Sequence, residues 1–162
     1  MALADDITSK GYWETAIRPS TYVADRISDL LSVPGLLSGL RIQRRGWAFP
    51  HVDGPESTQI GNDWIGQDTR WEAVRELWRV TKSGQFVHLS GFRYDWGEAS
   101  NLSVMQHLEP GATLVGLGDS LHRLSEVFEF GQRWARTIAR SEGVKLSLKI
   151  GGLLNRQLVI DN

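Results

Sequence analysis

Residues 71–96, WEAVRELWRVTKSGQFVHLSGFRYDW, carry the pattern that most narrows what this chain can fold into. Two apolar-rich arms flank Lys82-Ser83-Gly84-Gln85, a short polar group with one glycine, and that arrangement predicts a β-hairpin. The second arm alternates. Phe86, His88, Ser90, Phe92 and Tyr94 share one face, and Val87, Leu89, Gly91, Arg93 and Asp95 share the other. The hairpin is expected to be central sheet that packs under a helix and supports a neighbouring strand.

Taken in order, residues 1–10 read as a polar, disordered leader and 11–162 as a single α+β domain. GYWETAIRP over 11–19 alternates as a strand that Pro19 ends. Residues 20–40 show helical spacing interrupted at Pro34-Gly35, which predicts one or two short helices, the second less well marked, with Ser20 or Ser28 as a cap. RIQRRGWAFPHV over 41–52 is expected to return as a strand, irregular at Gly46 and Pro50, and TQIGNDWIG over 58–66 as a short strand broken at Gly61-Asn62. Residues 97–118 read as a long connection with at most one short element. The strongest helix is predicted over 119–142, with Leu121, Leu124, Val127, Phe128, Gly131, Ala135 and Ile138 as its buried stripe, Asp119 as N-cap and Gly143 at C′. Strands over 144–150 and 156–160 close the chain. It stops directly after an apolar strand, as a piece of a longer protein would.

Strand runs separated by short polar turns favour an α+β fold: a mostly antiparallel sheet, one long helix in the C-terminal half and one or two short N-terminal helices packed on it. Its core is expected to hold Trp13, Ile17, Leu30, Trp78, Phe86, Leu124, Phe128, Ile138, Leu146 and Leu148.

Composition excludes several functions. Cysteine is absent, so disulfides, thiol catalysis and thiolate metal sites are excluded. The net charge of −1 gives no global field for a polyanion. No apolar run approaches the ~20 residues of a membrane span, and no signal-like leader is present. The expectation is a cytoplasmic protein that does not engage membranes.

GYWETAIRPSTYVADRIS at 11–28, RRGWAFPHVD at 44–53, WRVTKSGQFVHLSGFRYDW at 78–96 and SEVFEFGQRWA in the helix resemble a segment of bacterial proteins that also carry Schlafen-type, AlbA-like nucleic-acid-binding or ATP-binding domains. The resemblance covers about a third of the chain. It implies an accessory domain of a larger, regulatory or defence-linked protein, and it transfers no functional residues.

Candidate site residues are Arg41, Arg44, Arg45, Trp47, His51 and His88. The three arginines beside Trp47, extended by Arg133, Arg136 and Arg140, could hold a single strand through phosphate contacts and stacking. The plain alternative is a solvated, ion-paired face. His51 with Asp53 could bind a metal or act as a base, and His88 could join His51 if their strands were neighbours. Otherwise His51 bonds locally to Asp53, and His88 is a half-buried strand histidine bonded to backbone or to Tyr94. Asp63, Asp68, Asp95 and Glu98 could add carboxylates around a metal, but no spacing connects them. Gly116 and Gly118 lead into the long helix, yet there is no third glycine and Asp119 would repel phosphate, so they read as turn and cap. No catalytic signature and no cofactor follow. The first expectation is a non-catalytic accessory or interaction domain, ligand-sensing in one form, with a protein partner or the rest of a longer chain on its tryptophans and arginines. The alternatives are a single-strand-binding module and a metal-dependent hydrolase centred on His51 and His88.

Overall fold

The computed structural model describes residues 2–44, 46–96, 112–140 and 142–161. Period-2 alternation produces its main sheet. Strands β1 (Tyr12–Pro19), β2 (Thr58–Ile60), β3 (Trp64–Trp71), β4 (Val74–Thr81), β5 (Phe86–Gly91) and β7 (Val144–Gly151) pair antiparallel in the order β2-β3-β4-β5-β1-β7. The hairpin is β4 and β5, at the middle of the sheet. Its turn places Gly84 at φ 82°, a left-handed conformation that glycine adopts without steric cost. Trp71 ends the preceding strand rather than opening the hairpin. The alternation stops at Gly91, and Arg93–Asp95 form a 3-10 turn. A second, two-stranded parallel sheet joins β6 (Thr113–Gly116) to β8 (Arg156–Val159). The α+β class with a mainly antiparallel sheet is as expected.

One helix covers the sheet's inner face. Helix α3 (Leu117–Trp134) runs into a π-helical turn, Ala135–Ala139. Its buried residues are Glu126, Val127, Phe130, Gly131 and Trp134. The expected stripe was therefore rotated: Leu124 is half-buried, and Phe128 is 61% exposed. The side carrying Phe130 and Trp134 offers more apolar area to Ile17, Ile65, Val80 and Phe86. Phe130 packs 4.7 Å from Phe86 between ring centres, and the Trp134 indole N–H donates to the Gly84 carbonyl at 3.0 Å, tying the helix to the hairpin turn. Both expected caps are corrected too. The helix starts at Leu117 after Gly116, and the π turn with Arg140 at φ 54° ends it before Gly143.

Further corrections lie toward the N-terminus. Leu3–Thr8 is helix α1, not disordered leader. Leu3 and Ile7, one turn apart, bury against Leu77 and Leu89 on the outer face of the sheet. In 20–40 only the later part is helical. A 3-10 turn, Leu30–Ser32, capped by the Asp29 carboxylate rather than by a serine, leads into α2 (Val33–Leu40). Pro34 falls in the first turn, where its missing N–H costs nothing. The described residues of 41–52 form no strand. A single bridge, Ile42 to Phe49, closes a loop that carries Gly46 and a cis Phe49–Pro50 bond. Most of the expected connection over 97–118 lies outside the described residues, except that Thr113–Gly116 is strand. Among the described residues no helix is long and apolar enough to cross a membrane.

Candidate functional site

Strand register turns the inner face of the sheet into three cross-strand rows of graded polarity. Ile65, Val80, Phe86, Ile17 and Leu146 make an apolar row under Phe130 and Trp134. Gln67, Trp78, His88, Thr15 and Leu148 make a mixed row. Thr69, Glu76, Ser90, Trp13 and Ile150 make the third, which is largely polar. Helix and sheet are packed shut over the first row. Over the third they part, leaving a cleft of about 320 Å³ with Trp13, Glu76 and Ser90 on the sheet side, Asp119 and Arg123 on the helix side, and Trp47 and Trp71 at the wall.

The loop that bears Trp47 and His51 is held by side chains instead of a strand ladder. The His51 backbone N–H donates to Glu76 Oε1 at 3.1 Å, and its carbonyl accepts from Trp78 Nε1 at 2.9 Å. The Asp53 N–H donates to Gln67 Oε1 at 2.9 Å, and the Thr69 hydroxyl donates to Asp53 Oδ2 at 2.7 Å. The first three of these bonds satisfy backbone groups that make no strand ladder here, and the fourth fixes the Asp53 side chain. The His51 ring lies 2.8 Å from Asp53 Oδ1, and the Trp47 ring stacks on it at 4.0 Å and on Trp71 at 5.3 Å. On the far side of these rings a second hollow of about 520 Å³ is bordered by His51, Asp53, Asp68 and Arg70.

Beneath the cleft, Glu76 is 1% exposed and His88 is fully buried, with 3.5 Å between Glu76 Oε2 and His88 Nε2. Burial pushes the Glu76 carboxyl up, but His88, Arg123 and Trp47 together outweigh it and hold the group below its ordinary value. Burial dominates at His88 and, with Arg123, holds the imidazole below its ordinary value against the opposing pull of Glu76 and Glu126. At neutral pH the pair is a carboxylate beside a neutral imidazole. The Trp47 indole lies near enough to steady the Glu76 charge but makes no hydrogen bond of normal geometry. Several buried polar atoms here lack a hydrogen-bond partner among the described residues: Thr15 Oγ1, both His88 ring nitrogens, Ser90 Oγ, Trp47 Nε1, and Nε and Nη1 of Arg123. Native interiors leave few such atoms, so this concentration needs a reason.

The expected site residues are only partly assembled. Trp47 borders the cleft and the second hollow, His51 borders only the second hollow, and His88 is buried in the sheet row beside the cleft. The two histidines meet only through Glu76, which binds the backbone of one and approaches the ring of the other. Tyr94, proposed as a partner for His88, instead donates to Asp161 at 2.7 Å. Arg41 lends its carbonyl to Arg133, while Arg44 and Arg133 both pair with Glu129, so one carboxylate offsets two of the basic residues. Arg45 and Glu98 lie outside the described residues. Asp68 pairs with Arg79, and Asp95 pairs with Arg156 in a nearly sealed contact at 2.7 Å. No group of three or more His, Cys, Asp or Glu able to hold a metal occurs among the described residues. The Gly-x-Gly stretch serves a carboxylate from within the chain. Asp161 accepts from the Gly118 N–H at 2.7 Å, and a Cβ on Gly116 or Gly118 would lie 2.1 or 2.3 Å from Asp161 atoms.

Glu76, Ser90, Arg123 and Trp13 were missed as site residues. One signal was available: alternation puts Glu76 on the same strand face as Trp78 and Val80, an unpaired charge on a face bound for the interior. Comparison with family models, with curated proteins and with solved structures produced no match to this chain.

Proposed function

We propose that this chain is a non-catalytic, cytoplasmic accessory domain that senses a small ligand in the cleft between the third sheet row and the N-terminal half of α3. The observation that carries this reading is the cleft floor. Glu76, and Ser90 at 2% exposure with an unpartnered hydroxyl, face a cavity walled by Trp13, Trp47 and Trp71. Buried polar groups are costly when unpaired, and a flat-walled hollow with a few polar groups is the usual form of a ligand site. His88 is fully buried and is not among the residues that line the cleft, so it does not reach a bound molecule there as a general base would have to. The single-strand reading on Arg41, Arg44 and Trp47 has less support, because Glu129 offsets Arg44 and Trp47 is stacked on its neighbours.

The test is a screen of small polar aromatic compounds by intrinsic tryptophan fluorescence and thermal shift. Saturable binding is expected, weakened by Trp71→Ala. Trp71 is 54% exposed, so its removal leaves the fold intact. Binding that Trp71→Ala and Glu76→Gln leave unchanged would place the ligand elsewhere and overturn the reading.

A further inference from the structure

The main sheet ends in a strand with an open side. β7 pairs with β1 along one edge, and among the described residues nothing pairs with the other. Register decides which backbone groups that edge presents. The Ser20 N–H donates to the Gly143 carbonyl at 3.1 Å, so residues 145, 147, 149 and 151, in step with Gly143, turn their N–H and C=O groups toward β1. Val144, Leu146, Leu148 and Ile150 turn theirs outward. The strand is eight residues long and contains no proline, so an extended segment can add to it as a further strand.

The two faces of β7 set the pattern such a segment must carry. On the inner face it would lie beside Leu146, Leu148 and Ile150 and under the flank of α3. A Cβ on Gly131 would lie 3.0 Å from Leu146, so the Gly131 side of the helix faces β7. Leu124 lies two turns before Gly131 on that side, and Phe128 and Leu121 lie next to it, 61% and 56% exposed. This apolar shoulder overhangs the open edge. On the outer face the charge is basic. Lys145 and Lys149 alternate along β7 beside Arg18 of β1, and Glu14 is the single carboxylate on the two strands. Glu14 lies 3.6 Å from Lys149, which leaves Arg18 and Lys145 exposed and without an ion pair among the described residues. A second copy of the chain is a poor occupant. Paired antiparallel about Ser147, it would set Lys145 opposite the copy's Lys149, and like charges across a strand pair repel.

We infer that the outer edge of β7 takes up an extended segment of a partner protein in which aliphatic and acidic residues alternate. Its aliphatic side chains lie under the shoulder of α3, its carboxylates lie beside Lys145 and Lys149, and its backbone bonds to Leu146 and Leu148.

The experiment titrates the full chain with a peptide of about eight residues that alternates valine and glutamate, read by calorimetry and by amide hydrogen exchange. This peptide should bind about tenfold or more tightly than one with lysine in place of glutamate, and added salt should narrow the gap. In the free chain the Leu146 and Leu148 amides should exchange fast and those of Ser147 and Lys149 slowly; the peptide should slow the first two. Lys145→Glu should weaken binding about fivefold, and Phe128→Ala should weaken it as well. Both side chains are exposed, and the comparison of peptides on the wild type needs neither variant. Equal affinity for the lysine peptide overturns the assignment. So does equal affinity for a peptide with proline at every second position, which cannot donate to a ladder. Slow exchange at Leu146 and Leu148 in the free chain would mean that the edge is already covered, and overturns it too. Dimerisation that protects the same amides would give the edge to a second copy, and no binding at low salt leaves it without an acidic partner; either result ends the proposal.

Discussion

Acid should weaken this fold through His88, and the size of the effect follows from its surroundings. The imidazole is fully buried on β5, lies 3.5 Å from Glu76 on β4, packs edge-on against Phe49 at 4.8 Å, and feels Arg123 and Glu126 from α3. Burial is the largest influence and holds its pKa below the ordinary 6.5. As pH falls through that value, the unfolded chain binds a proton that the folded chain refuses. Stability from this group is therefore present at neutral pH and lost as pH falls below 6.5. The slope approaches about 1.4 kcal/mol per pH unit for one proton, so from about pH 7.5 to about pH 5 the loss reaches up to about 2 kcal/mol. Glu76, also lowered, acts with the same sign but only below its ordinary 4.5, outside this window. His88→Gln keeps polar capacity and cannot take up the proton. Urea unfolding followed by tryptophan fluorescence should show the wild type losing its advantage over His88→Gln as pH drops. Parallel stability curves for the two proteins would refute the argument.

Two further outcomes follow from the packing. Phe130→Ala should cost about 3–5 kcal/mol, while Phe128→Ala, two residues away and exposed, should change stability by no more than about 0.5 kcal/mol; chemical denaturation of both variants checks the facing of α3. Asp161→Ala should remove about 0.5–2 kcal/mol by uncapping α3. Burial, and then the Asp161 hydrogen bond and charge, raise the Tyr94 phenol, so the same substitution should bring its alkaline titration down, read by ultraviolet absorbance.

Strands β1 and β7 were legible because one face of each packs inward more than the other, which writes period-2 alternation into the sequence, and β5 keeps that alternation although Leu89 on its outer face is buried under α1. Helix α3 was legible as a helix but not in its facing. Leu121, Leu124 and Phe128 compete with Val127, Phe130 and Trp134 for the buried side, and only the shape of the first sheet row decides between them. The 41–52 loop looked like a strand because its apolar residues are buried. Ile42 and Phe49 pack into the core under α3, while the backbone beside them is held by the Glu76 and Trp78 side chains, which no local pattern encodes. For the same reason Trp47, His51 and His88 could be named singly, whereas the cleft needs Trp13, Glu76, Ser90 and Arg123 from three separate segments brought into register.

The Asp161 carboxylate also has a kinetic meaning. It fastens the start of α3 43 residues upstream and Tyr94 67 residues upstream, while Arg156 binds Asp95 61 residues upstream and Asp95 in turn accepts from the Gly11 N–H across 84 residues. The ties made by Asp161 and Arg156 close only once the segment around β8 is available, whereas the Gly11–Asp95 bond needs nothing beyond residue 95. The β4–β5 hairpin is local and can form early, but the bond that secures the first turn of α3 needs Asp161.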